Sequence, residues 1–512
     1  MKYKKFFIIM FILILCSSIS ALLAPIFIQL WKANGTSLDT KKIVFIVLLI
    51  LASKVLTILF TIFREKFAKE YNKGNFISYI KNIFDMNYDS IIEKGAMNLL
   101  ERASISVNSI YSFMMSGYIQ IFSSLLVAIV CLILIANVNL YLALIMLLAL
   151  PINYFGYKLL NKKLKKKSEE MQKSTGMGFQ EILSYVQEVD YVKQLSDRSV
   201  IYNKLEPATE KVYGSMARVN EYAQSMTVVL EGINEIIKTL LLLIVVYDYM
   251  ANSSIYSIIL VTLIFPLYFA NVSTITNSNI EKRNFDIAKD FEKELIANKE
   301  ADGSDAIDVI NDIELDISSI NIKDMKLDFN AKAKLKKGDI VRINGANGSG
   351  KSTFAKGLVK FRDVKIIKVN GIDIDKCKNE DIRDRIEYVV QNAPIVNGSL
   401  RKNLLLDFDD GSHIDLAQNQ FIRSILEKKS LDDEILIGGT NLSGGEKQKI
   451  SFARSLLKNP DVLVLDEICS NIDKESTKEI YDYLNKTRDE RICFIISHDD
   501  LTSGLINVNI NA

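Results

Sequence analysis

The sequence predicts a membrane-spanning, all-α domain of six helices joined to an α/β domain with a largely parallel sheet built around a phosphate loop. Three observations predict it. Apolar runs long enough to cross a hydrocarbon core, which needs about 20 helical residues, are confined to the first 280 positions. Beyond residue 312, short β-rich runs alternate with helix-like stretches. One of those runs leads into a glycine-rich loop ending in Gly-Lys-Ser. At 512 residues the chain is too long for one compact core, and 49% hydrophobic residues beside 24% charged ones is the average of two unlike halves. Lysine plus arginine (63) nearly cancel aspartate plus glutamate (61), so the net charge of +2 gives no sign of a nucleic-acid partner. Cys16, Cys131, Cys377, Cys469 and Cys493 stand apart without a CxxC, which excludes a disulfide scaffold and predicts reduced thiols.

The membrane half is read as residues 1–296, with spans at about 6–30, 43–63, 118–136, 140–160, 228–250 and 255–275. A cleaved signal peptide is the alternative for the first run, but its apolar character continues to Leu30, too far for a signal core. Lys2, Lys4 and Lys5 place the N-terminus in the cytoplasm. Alternation then makes 64–117 and 161–227 cytoplasmic, and these carry Arg64, Lys66, Lys69 and the run Lys162, Lys163, Lys165, Lys166, Lys167. Both stretches exceed fifty residues and read as helical, so the membrane helices should project into the cytoplasm. The lysine run is read as a basic stop at the anionic inner leaflet, with specific lipid recognition as the other reading. Lys54 lies within the second span, and Glu231, Glu235 and Lys238 share one face of the fifth. Either these groups line a route for a polar cargo, or the two glutamates sit in a cytoplasmic extension and Lys54 pairs structurally.

The acidic stretch 297–312 (ANKEADGSDAIDVIND from Ala297) has no apolar face to pack and is read as a linker to a domain over 313–512. In that domain DIVRI runs into Gly345, Ala346, Asn347, Gly348, Ser349, Gly350, Lys351, Ser352 and Thr353, a complete GxxxxGK[ST] in the order strand, loop, helix. Glycines let successive N–H groups turn towards phosphate oxygens, and the following helix adds its positive dipole end. Lys351 would neutralise β- and γ-phosphates and Ser352 would ligate Mg²⁺. Downstream, VLVLDE ends a continuous apolar strand with Asp466, placed to hold magnesium, and Glu467, placed to polarise water. A strand meeting a turn often ends in acids, so this pair gains its meaning from the phosphate loop. His498 closes the last apolar strand, RICFIISH; a structural histidine is the plain alternative to a γ-phosphate contact.

The deciding element is Leu442, Ser443, Gly444, Gly445 and Glu446, followed by the helical KQKISFARSLLKNP. Together with the phosphate loop, Gln391, VLVLDE, SNID (Ser470 to Asp473) and His498, in this order, it resembles the nucleotide-binding domain of the ATP-binding cassette (ABC) family. The first half looks like that family's six-helix exporter domain. The resemblance covers essentially the whole chain and implies a half-size, ATP-driven exporter that works as a homo- or heterodimer in the cytoplasmic membrane; the richness in Ile, Asn and Lys resembles that of AT-rich bacteria. Glu467 would be the general base and Gln391 would contact the metal or the attacking water. Ser443 to Gly445 would bind ATP held by the partner subunit, and Asp473 would lie at the dimer seam. Tyr88 to Lys94 and Val189 to Leu195 match the positions of the family's coupling helices. The implied cargo is a peptide or an amphipathic small molecule.

Three departures qualify the resemblance. The family's adenine-stacking aromatic is missing from SSINIKDM around Ile320, Glu446 replaces the commoner glutamine, and only fourteen residues follow His498, so the usual terminal strands and helices are expected to be mostly missing. They keep alive a different reading, an ATP-binding regulatory or sensor module, or a weakly hydrolysing subunit of a heterodimeric transporter.

Overall fold

The computed structural model describes residues 4–35, 39–252, 255–322, 325–346, 348–362, 364, 367–406, 408, 416, 420–468, 472–497 and 506–509. The chain divides into two units: Met1–Met86 with Ser90–Lys299, and Asn87–Asp89 with Glu300–Ala512.

The first unit is helical. Its elements are α1 (Lys4–Ala33), α2 (Thr40–Phe84), α3 (Tyr88–Lys94, shared with the second unit), α4 (Ala96–Ser112), α5 (Ile119–Ala136), α6 (Leu140–Gln187), α7 (Val189–Gln194), α8 (Ser199–Thr209), α9 (Ser215–Asn252) and α10 (Ile255–Ala297). A π-turn joins α4 to α5 and another joins α8 to α9, so the described residues form six long rods. The 45 residues of α2 rise about 68 Å at 1.5 Å each. That is twice the roughly 30 Å of a hydrocarbon core, so the rods extend beyond a membrane as their sequence predicts. Among the described residues, three helical stretches are apolar and long enough to cross by composition alone (Ile8–Trp31, Thr40–Phe84, Ala96–Ala136), and shorter apolar stretches cover Leu140–Gly156 and Val261–Ile275. The span expected at 228–250 forms part of α9, where Glu231, Glu235 and Lys238 dilute its apolar character.

Those charges are arranged locally. Lys238 donates to both oxygens of Glu235 at 3.0 Å, while Lys54 and Glu231 are exposed on their helices. A polar pair that composition did not reveal joins α6 to α9: Asn153, buried at 3% exposure, and Asn234 exchange side-chain hydrogen bonds of 2.8 and 3.0 Å. Each amide satisfies the other where water is scarce, so the pair fixes the register of the two helices.

At the far end of α10, Glu294 accepts from Arg102 at 2.8 Å and from Lys94, and Arg102 also lies 4.1 Å over the Phe291 ring. Burial pushes the Glu294 carboxyl up, but the hydrogen bonds and charges of Arg102 and Lys94 outweigh it and hold the pKa below the ordinary value. A depressed carboxylate contributes stability that is present above its unfolded pKa, about 4.3, and is lost as pH falls through the folded value. Thermal melts from pH 6 to pH 3 should therefore show Glu294→Gln destabilised at pH 6, with the gap to wild type closing below about pH 4.3. A gap that stays constant would contradict this.

The second unit holds strands β1 (Asp312–Ile322), β2 (Met325–Lys336), β3 (Ile340–Asn344), β4 (Ile367–Val369), β5 (Ile372–Asp373), β6 (Ile386–Val389), β7 (Gly398–Ser399), β8 (Glu434–Ile435), β9 (Val462–Asp466), β10 (Ile492–Ile496) and β11 (Ile506–Asn509). Its helices are α11 (Lys351–Leu358), α12 (Asn379–Arg385), α13 (Leu400–Leu404), α14 (Gln420–Leu426), α15 (Gly444–Leu457) and α16 (Lys474–Lys486). The central sheet runs β11-β3-β10-β9-β6, parallel throughout. β9 and β10 are buried at every position, as a sheet covered on both faces requires. A second, antiparallel sheet runs β2-β1-β4-β5.

The expected linker is packed. Ile307 (5% exposed) and Ile310 (0%) enter the core of the second unit, and carboxylates tie the stretch to that unit's backbone, although Asp302 and Asp308 themselves stay exposed. Asp302 accepts from the Asn379 N–H at 2.7 Å, and Asp461 accepts from that of Ile310 at 3.0 Å. Glu300 takes a two-pronged ion pair from Arg383. The two isoleucines are too sparse to show a periodic apolar face, which is why the stretch reads as linker in the sequence. The described cysteines, Cys16, Cys131, Cys377 and Cys493, are free thiols.

Candidate nucleotide site

Strand β3 delivers the phosphate loop to the edge of the parallel sheet. Gly348 and Gly350 turn it at φ +84° and +94°, a region a side chain would strain, and α11 begins at Lys351. In this arrangement Lys351 is 7% exposed and folds back on its own loop, donating to the carbonyls of Gly345 (2.8 Å) and Ala346 (3.0 Å). The loop also buries Ser349, whose hydroxyl finds no partner among the described residues. A cationic nitrogen resting on weak carbonyl acceptors and an unsatisfied hydroxyl at a helix N-terminus suit an incoming phosphate. Arg362 approaches the Thr353 hydroxyl at 3.4 Å and pairs with Asp89 at 2.9 Å. In the same unit Tyr88 stacks on Phe361, with ring centroids 5.5 Å apart.

Strand β9 ends at Asp466, 4% exposed, whose Oδ1 faces the Ser352 hydroxyl at 3.3 Å. Its other oxygen accepts from the Tyr388 hydroxyl on β6 at 2.7 Å. Burial first, and the neighbouring carboxylate second, raise the Tyr388 pKa, so the phenol stays a donor. Glu467 follows in the left-handed region at φ +52°, held there by its N–H to the Ile496 carbonyl (2.9 Å). Such a conformation costs a non-glycine residue on the order of 1 kcal/mol, and it turns the side chain out of the strand. Gln391 donates to Glu467 Oε2 at 2.6 Å. The structure thus brings Ser352, Asp466, Glu467 and Gln391 together. Asn347 and His498 lie outside the described residues, as do Ser470 and Asn471 of the SNID segment.

Magnesium prefers hard oxygen ligands and usually completes its shell with phosphate and water. Ser352 Oγ and the Asp466 carboxylate are such ligands and already face each other, so the residues fit the ion. Among the described residues no group of three or more His, Cys, Asp or Glu could hold a metal ion.

The LSGGE segment forms the start of α15. Ser443 is its N-cap, accepting from the Glu446 N–H at 3.2 Å, while the Glu446 carboxylate reaches back to the Ser443 N–H (2.8 Å) and hydroxyl (2.9 Å). Burial raises the Glu446 pKa, but those bonds and Lys429, 3.1 Å away, hold it below the ordinary value. Leu442 anchors the turn at 9% exposure; Ser443 and Gly444 are exposed and Gly445 half-buried. A cleft of about 940 Å³ opens beside them, lined also by Lys449 and Asp473. Asp473 caps α16 through the Ser476 N–H (2.9 Å) and hydroxyl (2.7 Å), which lower its pKa.

Comparison with known proteins decides the family. A model described as the ABC transporter transmembrane region matches residues 7–272, and one described as ABC transporter matches 329–470. The chain belongs to the ABC transporter family. Its membrane and nucleotide-binding regions are fused in the order that the motifs imply. One relative of this ABC chain is the SPbeta prophage-derived sublancin-168-processing and transport ATP-binding protein of Bacillus subtilis (strain 168), 28% identical over 377 residues, 70% of this chain and 52% of that protein. Another is the lactococcin-G-processing and transport ATP-binding protein of Lactococcus lactis subsp. lactis, 32% identical over 211 residues, 36% of this chain and 28% of that one. The chain thus spans about half or less of the length of these relatives. Among solved structures, a bacterial Atm1-family ABC exporter with ATP bound has the same fold, with TM-score 0.82 at 16% identity over 99% of this chain and 92% of that one.

Sequence reasoning missed Tyr388, Lys429, Gln448 and Arg454. Gln448 donates to the Gln391 carbonyl at 3.3 Å and Arg454 to that of Pro394 at 3.0 Å, so α15 backs the loop that carries Gln391. Tyr388, Gln448 and Arg454 lie within or beside the motifs, yet their partners are dozens of residues away; Lys429 lies outside the motifs and meets Glu446 across 17 residues.

Proposed function

We propose that this ABC chain is one half of a dimeric exporter that uses ATP hydrolysis to move a peptide across the cytoplasmic membrane. The observation that carries the ATPase reading is the convergence of Ser352, Asp466, Glu467 and Gln391 at one sheet edge. Backbone N–H groups of the loop and Lys351 hold the β- and γ-phosphates, Lys351 exchanging its two carbonyl contacts for phosphate oxygens. Mg²⁺, held by Ser352 and Asp466 with Gln391 nearby, would supply positive charge against those oxygens. Glu467 accepts the proton of the attacking water, and Gln391 orients its carboxylate. The role of γ-phosphate contact is assigned to His498 on its place in the sequence, at the close of RICFIISH.

ATP also closes the dimer. Leu442 to Glu446 present a helix N-terminus to the nucleotide on the partner subunit, with Asp473 at the seam. That clamp loosens once the γ-phosphate is gone, so binding and hydrolysis alternate two states of the attached helices. Lysine placement supports a cytoplasmic N-terminus and nucleotide-binding domain. The peptide cargo is supported by relatives whose names carry processing and transport of sublancin-168 and lactococcin-G. Inside-out membrane vesicles containing the chain should accumulate a labelled peptide encoded beside its gene when given ATP, and not when given a non-hydrolysable analogue. Equal accumulation under both conditions rejects ATP-driven export, and ATP consumption without accumulation rejects the peptide.

A further inference from the structure

The nucleotide site contains a side chain with no assigned role. Tyr388 lies on β6, the edge strand of the parallel sheet, in register with Val464 of β9 and thus two residues short of Asp466. Its hydroxyl donates to Asp466 Oδ2 at 2.7 Å, while Ser352 approaches Oδ1 at 3.3 Å. The two oxygens of a carboxylate that is 4% exposed are therefore distinguished, one capped by a phenol and the other turned to the helix of the phosphate loop. Rotating this carboxylate would break a short, part-buried, charge-assisted hydrogen bond. Three residues further on, in the loop after β6, Gln391 holds Glu467 in the same way, so Asp466 and the acid that follows it are oriented from β6 and its loop.

We propose that Tyr388 is a positioning residue for nucleotide-bound Mg²⁺, fixing the Asp466 carboxylate so that Oδ1 faces Ser352 and the ion. The proposal rests on the reading of Asp466 as the metal-holding carboxylate. Residues that orient a metal ligand through a hydrogen bond typically govern about 10–100-fold in metal affinity. Tyr388 should do so without touching nucleotide.

The test uses the full chain in lipid nanodiscs at saturating ATP. Mg²⁺ is titrated and the ATP-induced rise in melting temperature is followed, with a fluorescent ATP analogue in EDTA measuring metal-free binding. Tyr388→Phe should raise the Mg²⁺ half-point about tenfold and leave EDTA binding unchanged; because the phenol's hydrogen bond is lost, the rise with ATP is read against each variant's own nucleotide-free melt. Asp466→Asn should raise it further, and adding Tyr388→Phe to Asp466→Asn should change nothing more. A wild-type half-point in Tyr388→Phe, an equal loss in EDTA, a lowered nucleotide-free melting temperature without a Mg²⁺ shift, or additive effects in the double variant each overturn the assignment. If Asp466→Asn also leaves the half-point unmoved, the metal-site reading falls with it; if Asp466→Asn moves it and Tyr388→Phe does not, only the role of Tyr388 falls.

Discussion

Glu467→Gln should slow ATP hydrolysis by at least about a hundredfold while leaving nucleotide bound, because general-base catalysis typically contributes 10²–10⁴-fold. Glutamine matches glutamate in size and can still accept from Gln391, which lies 2.6 Å from Oε2, so the geometry of the loop survives. The phosphate-holding groups, Lys351 and the loop N–H groups, are untouched. What is lost is an unprotonated oxygen able to take a proton from water. The backbone makes the position hard to replace: at φ +52°, with its N–H committed to the Ile496 carbonyl, Glu467 is turned out of the sheet just after the buried Asp466. A neighbouring acid cannot take over, since Asp466 is held by Tyr388 and faces Ser352. Phosphate release and the amount of nucleotide co-purifying with the protein would be measured together. A variant that turns over at the wild-type rate would put the base elsewhere. One that loses nucleotide as well as turnover would make Glu467 a binding residue instead.

How much of this could be read in advance depended on whether a feature was local. The six rods could, because each carries its own run of apolar residues. So could β3, β6, β9 and β10, which are short β-rich runs, β9 and β10 being buried at every position. The antiparallel sheet was overlooked, although Ala331, Ala333 and Leu335 alternate with Lys332, Lys334 and Lys336 in a period of two. The structure uses that alternation: Lys334 pairs across the strands with Glu314 at 3.0 Å. The phosphate loop, LSGGE and VLVLDE are consecutive residues and could be recognised as such. Tyr388 could not. Its importance comes from the parallel pairing of β6 with β9, which joins residues 78 positions apart. Asn153 and Asn234 are hidden for the same reason, since nothing in the sequence pairs them until the helices pack.

The segment after β6 depends on such long-range contacts most of all, and Arg454→Met should lower the stability of the nucleotide-binding domain by about 2–5 kcal/mol. Arg454 is 4% exposed on α15; its Nε donates to the Asn403 carbonyl at 2.7 Å and Nη1 to that of Pro394 at 3.0 Å. Asn403, fully buried, ties the same loop to itself through the Val396 N–H and carbonyl at 3.0 and 2.9 Å. Methionine retains most of the apolar stem but no donor, so the buried Asn403 carbonyl and the part-buried contact at Pro394 lose a charged partner, each at about 1–3 kcal/mol. For a domain near 200 residues this corresponds to a melting temperature lower by about 10 °C. A functional loss should accompany it below the melt. Gln391 is backed only 3.3 Å from Gln448 on the same helix, so loosening residues 391–403 frees the side chain that orients Glu467. Thermal melting and ATP hydrolysis measured at 20 °C separate the two effects. Arg454→Lys can donate to one carbonyl at a time and should fall between wild type and methionine in both. If Arg454→Met melts within 2 °C of wild type, the carbonyls have found other donors and α15 does not hold the loop.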